Sequence, residues 1–235
     1  MSANKRKTAA AMGMRNESNL HKTLKLHFAG IDGDVEKITD DFICDGRSDS
    51  GELIEVQCGS FAPLFKKAQI LTRANKLRIV HPIFAVKYIE LYDNEGVLLR
   101  ESKSPRKGTE WDLFKALIYA PLLPMLKNLT IELAIVDVVE KRVADGKGSW
   151  RRGGISITDR QIAAWKDSVV LKSVRDYLRF LPFESGELFT TRELAEKAGV
   201  NAALARKAVY VLTKMELAFR AGKRGNSFVY NRIAK

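Results

Sequence analysis

Hydrophobic and polar positions alternate with different periods along the chain, and each change of period marks an element. Asn16 predicts a helix N-cap, followed by Leu20, Leu24 and Phe28 on one helical stripe that Gly30 and Gly33 end. Three short strands are expected next: Glu36–Thr39, Phe42–Cys44 running into Asp45, and Glu52–Cys58, the last two parted by the turn-rich Gly46–Gly51. Ser60 predicts the cap of a second helix, Ala62–Ala74, with Pro63 in its first turn, and Leu77–Val80 reads as a fourth strand. Val86–Tyr92 and Val97–Arg100 flank Asp93-Asn94-Glu95-Gly96 as a hairpin, with a basic loop around Pro105. Trp111–Leu126 reads as a helix interrupted near Pro121 and Pro124, and Thr130–Glu140 as a long buried strand.

From Ile162 the apolar period turns helical. Helices are expected over Val169–Leu181, from the capping box Thr190-Thr191-Arg192-Glu193 to Gly199, and over Ala202–Glu216 behind Asn201. Leu217–Ala221 and Ser227–Ile233 then predict a hairpin. These patterns divide the chain into a basic tail (1–13), an α/β domain with a mixed sheet (14–160) and a mainly helical domain (161–235).

Composition narrows the function classes. The 235 residues are 46% hydrophobic and 29% charged, enough apolar material for a packed core and unlike disordered or fibrous chains. Forty Lys and Arg against 28 Asp and Glu give a net charge of +12, which points to a polyanion: nucleic acid first, an anionic membrane surface second. Apolar runs fall far short of the ~20 residues of a membrane span, and no secretory-signal pattern opens the chain, so a cytoplasmic protein is expected. Two cysteines form neither a disulfide framework nor a zinc motif; Cys44 and Cys58 read as packed thiols facing away from Asp45 and Gln57.

Candidate chemistry lies in the first domain. Asp45 ends one strand, and Glu55 and Gln57 share a face of the next. A carboxylate between Ile54 and Val56, with another at the end of the neighbouring strand, is costly unless a cation balances them. Oxygen ligands at a sheet edge suit Mg²⁺, which takes one or two protein carboxylates and completes its shell with water and phosphate.

Asp45 followed by Glu55-Val56-Gln57, in the order helix, three strands, helix, strand, resembles the PD-(D/E)xK nuclease superfamily from Asn16 to about Val80. The resemblance implies an αβββαβ core and a phosphodiesterase that uses Mg²⁺, or Mn²⁺ in its place. Asp45 and Glu55 would be metal ligands with the Val56 carbonyl, and Glu17 an outer acid on the first helix. The sequence departs from the family at Cys44, where a Pro often stands, and at Gln57, where the family has Lys. Gln57 could orient a water but carries no charge, so Lys66 or Lys67 on the following helix would contact the scissile phosphate. Other readings stay open: Glu17 favouring a helix N-terminus, His21 as a satisfied partly buried group, Lys66 and Lys67 as a solvated face.

The C-terminal third resembles a winged helix-turn-helix domain. From Lys166 onward it carries fourteen Lys and Arg against seven Asp and Glu. By that resemblance Asn201, Arg206 and Lys207 on the third helix would face a DNA groove, and Lys223 and Arg224 at the wing tip would reach phosphate. The loop 141–154 sets Arg151 and Arg152 beside Trp150, which reads equally as a DNA-stacking flap or as an anchor between the domains. The expected function is a metal-dependent endodeoxyribonuclease acting on double-stranded DNA, with a homodimer supplying the two sites needed to cut both strands. The competing expectation is a non-catalytic DNA-binding regulator whose nuclease core is degenerate, motivated by Gln57.

Overall fold

The computed structural model describes residues 18–29, 35–39 and 42–233. Helix α1 (Asn19–Ala29) precedes strands β1 (Val35–Thr39), β2 (Phe42–Arg47) and β3 (Leu53–Val56), then α2 (Leu64–Leu71) and β4 (Leu77–Tyr92). This is the element order expected from the sequence, in a chain of mixed α/β class. Strands β5 (Leu98–Lys103), β6 (Leu129–Val143) and β7 (Ser156–Leu171) complete a mixed seven-stranded sheet, with short helix α3 (Leu113–Leu117) between β5 and β6. Strands β1, β2 and β3 pair antiparallel, β3, β4 and β6 run parallel, and β7 returns antiparallel along β6.

Side-chain alternation sends each strand's apolar residues to two faces. Leu53, Leu77, Ile79, Ile131 and Leu133 join a core with α2 and α3. Ile54, Val56, Val80, Val136 and Val138 form a second core beneath Leu20 and Leu24 of α1. The two faces thus belong to different helices, and this determines which groups can reach each strand-borne acid.

Two expectations are corrected. Leu77–Val80 and Val86–Tyr92 are one continuous 16-residue strand. Pro82 reads as a break, yet it lies just past Val80, where β3 stops pairing and before β5 joins at Tyr88. The Val80 carbonyl faces the β3 side, accepting from Gln57 N, so the missing Pro82 N–H two residues on faces the same open edge and costs no ladder bond. Likewise the helical period from Ile162 is not a helix: Val169 and Leu171 lie in β7, and the large sheet continues past residue 161 to Leu171. Three bulges against β6, at Ile135/Val136, Asp137/Val138 and Lys141/Arg142, break the period of two. The helix expected over Val169–Leu181 shrinks to a 3₁₀ segment, Val174–Phe180, capped by Ser173 and Asp176.

Beyond it come β8 (Leu188–Thr190), α4 (Thr191–Ala198), α5 (Ala202–Lys214), β9 (Ala218–Arg224) and β10 (Ser227–Arg232), the strands forming a separate sheet in the order β8-β10-β9. The capping box forms as predicted: Glu193 N donates to Thr190 Oγ1 at 3.2 Å and Thr190 N to Glu193 Oε2 at 2.6 Å. Gly199, at φ +65°, ends α4 in the left-handed region. Phe180 meets Trp111 and Phe114 edge-on at 5.2 and 4.9 Å, and one apolar core runs from the large sheet into α4 and α5. Among the described residues no helix is long and apolar enough to cross a membrane.

Candidate active site

Strands β2 and β3 pair only through Gly46↔Ile54 and Arg47↔Leu53, so they part where Asp45 and Glu55 stand. Asp45 turns to α1: its Oδ2 accepts from Val56 N at 2.8 Å and its Oδ1 lies 3.1 Å from Lys25 Nζ. His21 Nε2 is 3.0 Å from Val56 O and 3.3 Å from Asp45 Oδ2. A carbonyl only accepts, so Nε2 carries the hydrogen and shares it between the two oxygens. Burial alone would raise the Asp45 carboxyl, but the bonds from His21 and Val56 and the charges of His21 and Lys25 outweigh it and hold it below its usual value.

Glu55 is served from the other face. It forms an ion pair with Lys67 of α2, whose Nζ also donates to Ile43 O at 2.6 Å. Burial pushes the Glu55 carboxyl above its ordinary value; Lys67 opposes that, and the Asp45 charge adds to it. The Cys44 thiol, expected to face away from Asp45 and Gln57, does lie opposite Asp45, in the core with α2, where it packs against Glu55. Burial, reinforced by the Glu55 charge, raises it to about 11, so it stays an uncharged thiol. Gln57 donates its backbone N–H to Val80 O at 2.9 Å and its side-chain amide to Ser60 O at 2.6 Å.

Lys67 and Glu55 are therefore brought together, whereas Lys66 is exposed on α2. Glu17 lies outside the described residues. His21 is a partnered group, and Lys25, only 7% exposed, was missed by sequence reasoning. Its position four residues after His21 on the inner stripe was the available signal.

Asp45, Glu55 and the Val56 carbonyl are hard oxygen donors of the kind Mg²⁺ takes. Two of them, Asp45 Oδ2 and Val56 O, converge on one point, marked by His21 Nε2. Glu55 stands apart on the α2 side with Lys67, each acid has its own ammonium, and no group of three or more His, Cys, Asp or Glu able to hold a metal occurs among the described residues, so an ion would have to draw Glu55 across to the Asp45 side.

The expected DNA-facing residues are spread over two surfaces. Asn201 caps α5, its Oδ1 accepting from Leu204 N at 2.9 Å, which leaves only its amide hydrogens to face outward. Arg206 is exposed and Lys207 half-buried. Arg206 lines a groove of about 510 Å³ between α5 and the β9–β10 hairpin, where the Arg220 guanidinium stacks 3.4 Å from the Phe228 ring centre. Lys223 is exposed at the hairpin tip, whereas Arg224 is tied to Glu193 at 2.7 Å.

Arg151 and Arg152 are exposed on a tight turn, and Trp150 beside them is 84% exposed, so it anchors no interface within the chain. The turn is closed by Gly148 N donating to Gly154 O at 2.7 Å; a Cβ on Gly148 would sit 1.9 Å from Ile155 O.

Residues 18–172 match the family described as Domain of unknown function (DUF8091), and the chain belongs to that family. The match spans α1 to the end of β7, the whole large sheet. The chain is also similar to an "Uncharacterized protein" of Treponema pallidum (strain Nichols), 24% identical over 217 residues, covering 92% of this chain and 85% of that protein. No solved structure matches it.

Proposed function

We propose that the chain is a Mg²⁺-dependent DNA endonuclease with a PD-(D/E)xK-like core and a C-terminal winged-helix module that grips double-stranded DNA. One observation carries the reading: Lys67 reaches Glu55 from α2, supplying beside the acids the positive charge that Gln57 cannot. The ion would be held by Asp45 and the Val56 carbonyl in the place now taken by His21 and Lys25, with Glu55 joining them on leaving Lys67, and when bound would supply a water of lowered pKa and positive charge for the phosphate. The protein's own groups do the rest. Lys67 opposes the burial that favours a neutral Glu55 carboxyl and, released towards an incoming phosphate, would neutralise an oxygen. His21 fixes the Asp45 and Val56 oxygens on a common point.

The order 3₁₀ segment, β8, α4, α5 and the β9–β10 hairpin supports a winged-helix reading. Exposed Arg206, Arg220 and Lys223 would contribute phosphate contacts, with base readout a smaller part. The module then begins after Leu171 rather than at residue 161. A homodimer would bring two sites to opposite strands.

The test is nicking of supercoiled plasmid in Mg²⁺ or Mn²⁺ against EDTA. Metal-dependent nicking that Glu55→Ala abolishes supports the proposal. A second reading, a DNA-binding regulator without catalysis, is favoured by the separate neutralisation of Asp45 by Lys25 and of Glu55 by Lys67. It predicts tight DNA binding by wild type with no nicking in either metal.

A further inference from the structure

Past the candidate site, β3 leaves β4 after Val80 and β5 does not join until Tyr88, so a stretch of β4 has no paired strand on that edge. The opening is a cavity of about 380 Å³, lined at one end by Cys58, Gly59 and Ser60, the residues immediately after Gln57. Its other wall is the basic loop after β5, pinned to β4 by Ser104 N donating to Lys87 O at 2.8 Å and Gly108 N to Phe84 O at 2.9 Å. The backbones meet so closely that a Cβ on Gly108 would lie 2.4 Å from Phe84 O, which keeps the wall in place.

The lining has two kinds of surface. Tyr119, 64% exposed, gives a flat face, while Lys87, Arg106 and Lys115 give cations. The cations outnumber the acids that hold them. Asp112 alone meets both Lys115 and Arg106 (3.8 Å), leaving one excess charge. Lys87 has only a share of buried Glu140 at 3.4 Å, since that acid also meets Arg142 at 2.5 Å and Arg160 at 2.8 Å, both outside the lining. His81, 6% exposed, gives its Nδ1–H to Gln57 O at 2.6 Å. Burial lowers its pKa and keeps the ring neutral, so Nε2 remains as a lone-pair acceptor with no partner among the described residues.

We propose that this cavity binds one nucleotide unit through its terminal phosphate monoester, the base lying against Tyr119 and a base or sugar donor meeting His81 Nε2. A dianion beside a flat aromatic face answers both halves of the lining, and 380 Å³ is the size of a small-molecule pocket. The inference rests on the nucleic-acid reading above and sharpens it: the enzyme would recognise a phosphorylated strand end in a cavity whose lining begins three residues along the chain from Glu55.

The test measures binding in EDTA, so it does not depend on cleavage. The probes are a deoxynucleoside 5′-monophosphate, the matching nucleoside, inorganic phosphate, and a duplex oligonucleotide bearing either 5′-phosphate, 3′-phosphate or only hydroxyl ends. The expected result is at least tenfold tighter binding of the mononucleotide than of the nucleoside or of inorganic phosphate. A similar preference for one phosphorylated duplex end tells a strand terminus from a free nucleotide as the natural source. Arg106→Ala, at a 67% exposed side chain that carries no core packing, should erase that preference, and Arg73→Ala, at an exposed position just after α2 and outside the lining, should keep it. Equal affinity for phosphate and mononucleotide, or a preference that survives both Arg106→Ala and Lys115→Ala, overturns the proposal. A wild type that never nicks DNA but keeps the phosphate preference sinks the nuclease reading and leaves this one standing.

Discussion

Two carboxylate clusters on the same sheet show opposite electrostatic designs. At the parting of β2 and β3, two acids have one ammonium each, and burial leaves Glu55 more easily protonated than a free carboxylate. Farther along β6, the single acid Glu140 meets three cations; burial resists ionisation there too, but Arg142, Arg160 and Lys87 outweigh it and lower its pKa to about 2. In the first cluster Asp45 is already held below its ordinary value by His21, Val56 and Lys25, and only Glu55 stands above its own, so a further positive charge would act at Glu55, which is what the proposed cation and phosphate site calls for. The second is saturated with cations and acts as a rivet that leaves surplus positive charge at the surface.

The sharpest way to break that contrast is at the first cluster. Asp45→Ala should lower metal-dependent nicking by about 10³-fold, a loss of about 4 kcal/mol in transition-state stabilisation, with duplex binding in EDTA unchanged. Glu140→Gln comes next, and its effect should fall on stability. Its folded pKa lies below the 4.5 of a free glutamate, so its contribution is present above pH 4.5 and is lost as pH falls towards 2. Denaturant melts should show a loss of about 3 kcal/mol at pH 7 and a flatter acid limb for the variant. Lys67→Ala should reduce nicking by about 10²-fold while Lys66→Ala changes it less than about twofold, because only Lys67 meets Glu55. The smallest effects belong to the C-terminal module: Arg206→Ala and Lys223→Ala should each lower the slope of log affinity against log salt by about one, with no change in nicking of saturated DNA.

The sequence carried the helix–three strands–helix–strand order because residues 19–80 keep one period per element and Ser60, Pro63 and Gly51 punctuate them. It did not carry the length of β4, since Pro82 signals a break whether or not its missing N–H faces a neighbour, and that depends on where β3 stops. Nor did it carry β7, whose register shifts against β6 are set by the partner strand. At the site, Asp45 and Glu55 were legible as a costly pair, but the faces they turn to were not. Alternation fixes faces only while two strands stay paired, and these part at Asp45, which lets Cys44 reach Glu55 and leaves Asp45 to α1. His81 carried no local signal, because its partner, Gln57 O, comes from another strand end.

The most direct measurement is Mn²⁺ binding by electron paramagnetic resonance, comparing wild type with Asp45→Asn and Glu55→Gln. The account predicts one bound ion per chain in wild type and at least tenfold weaker binding in each variant. Binding that is absent from wild type, or undiminished in both variants, would contradict it.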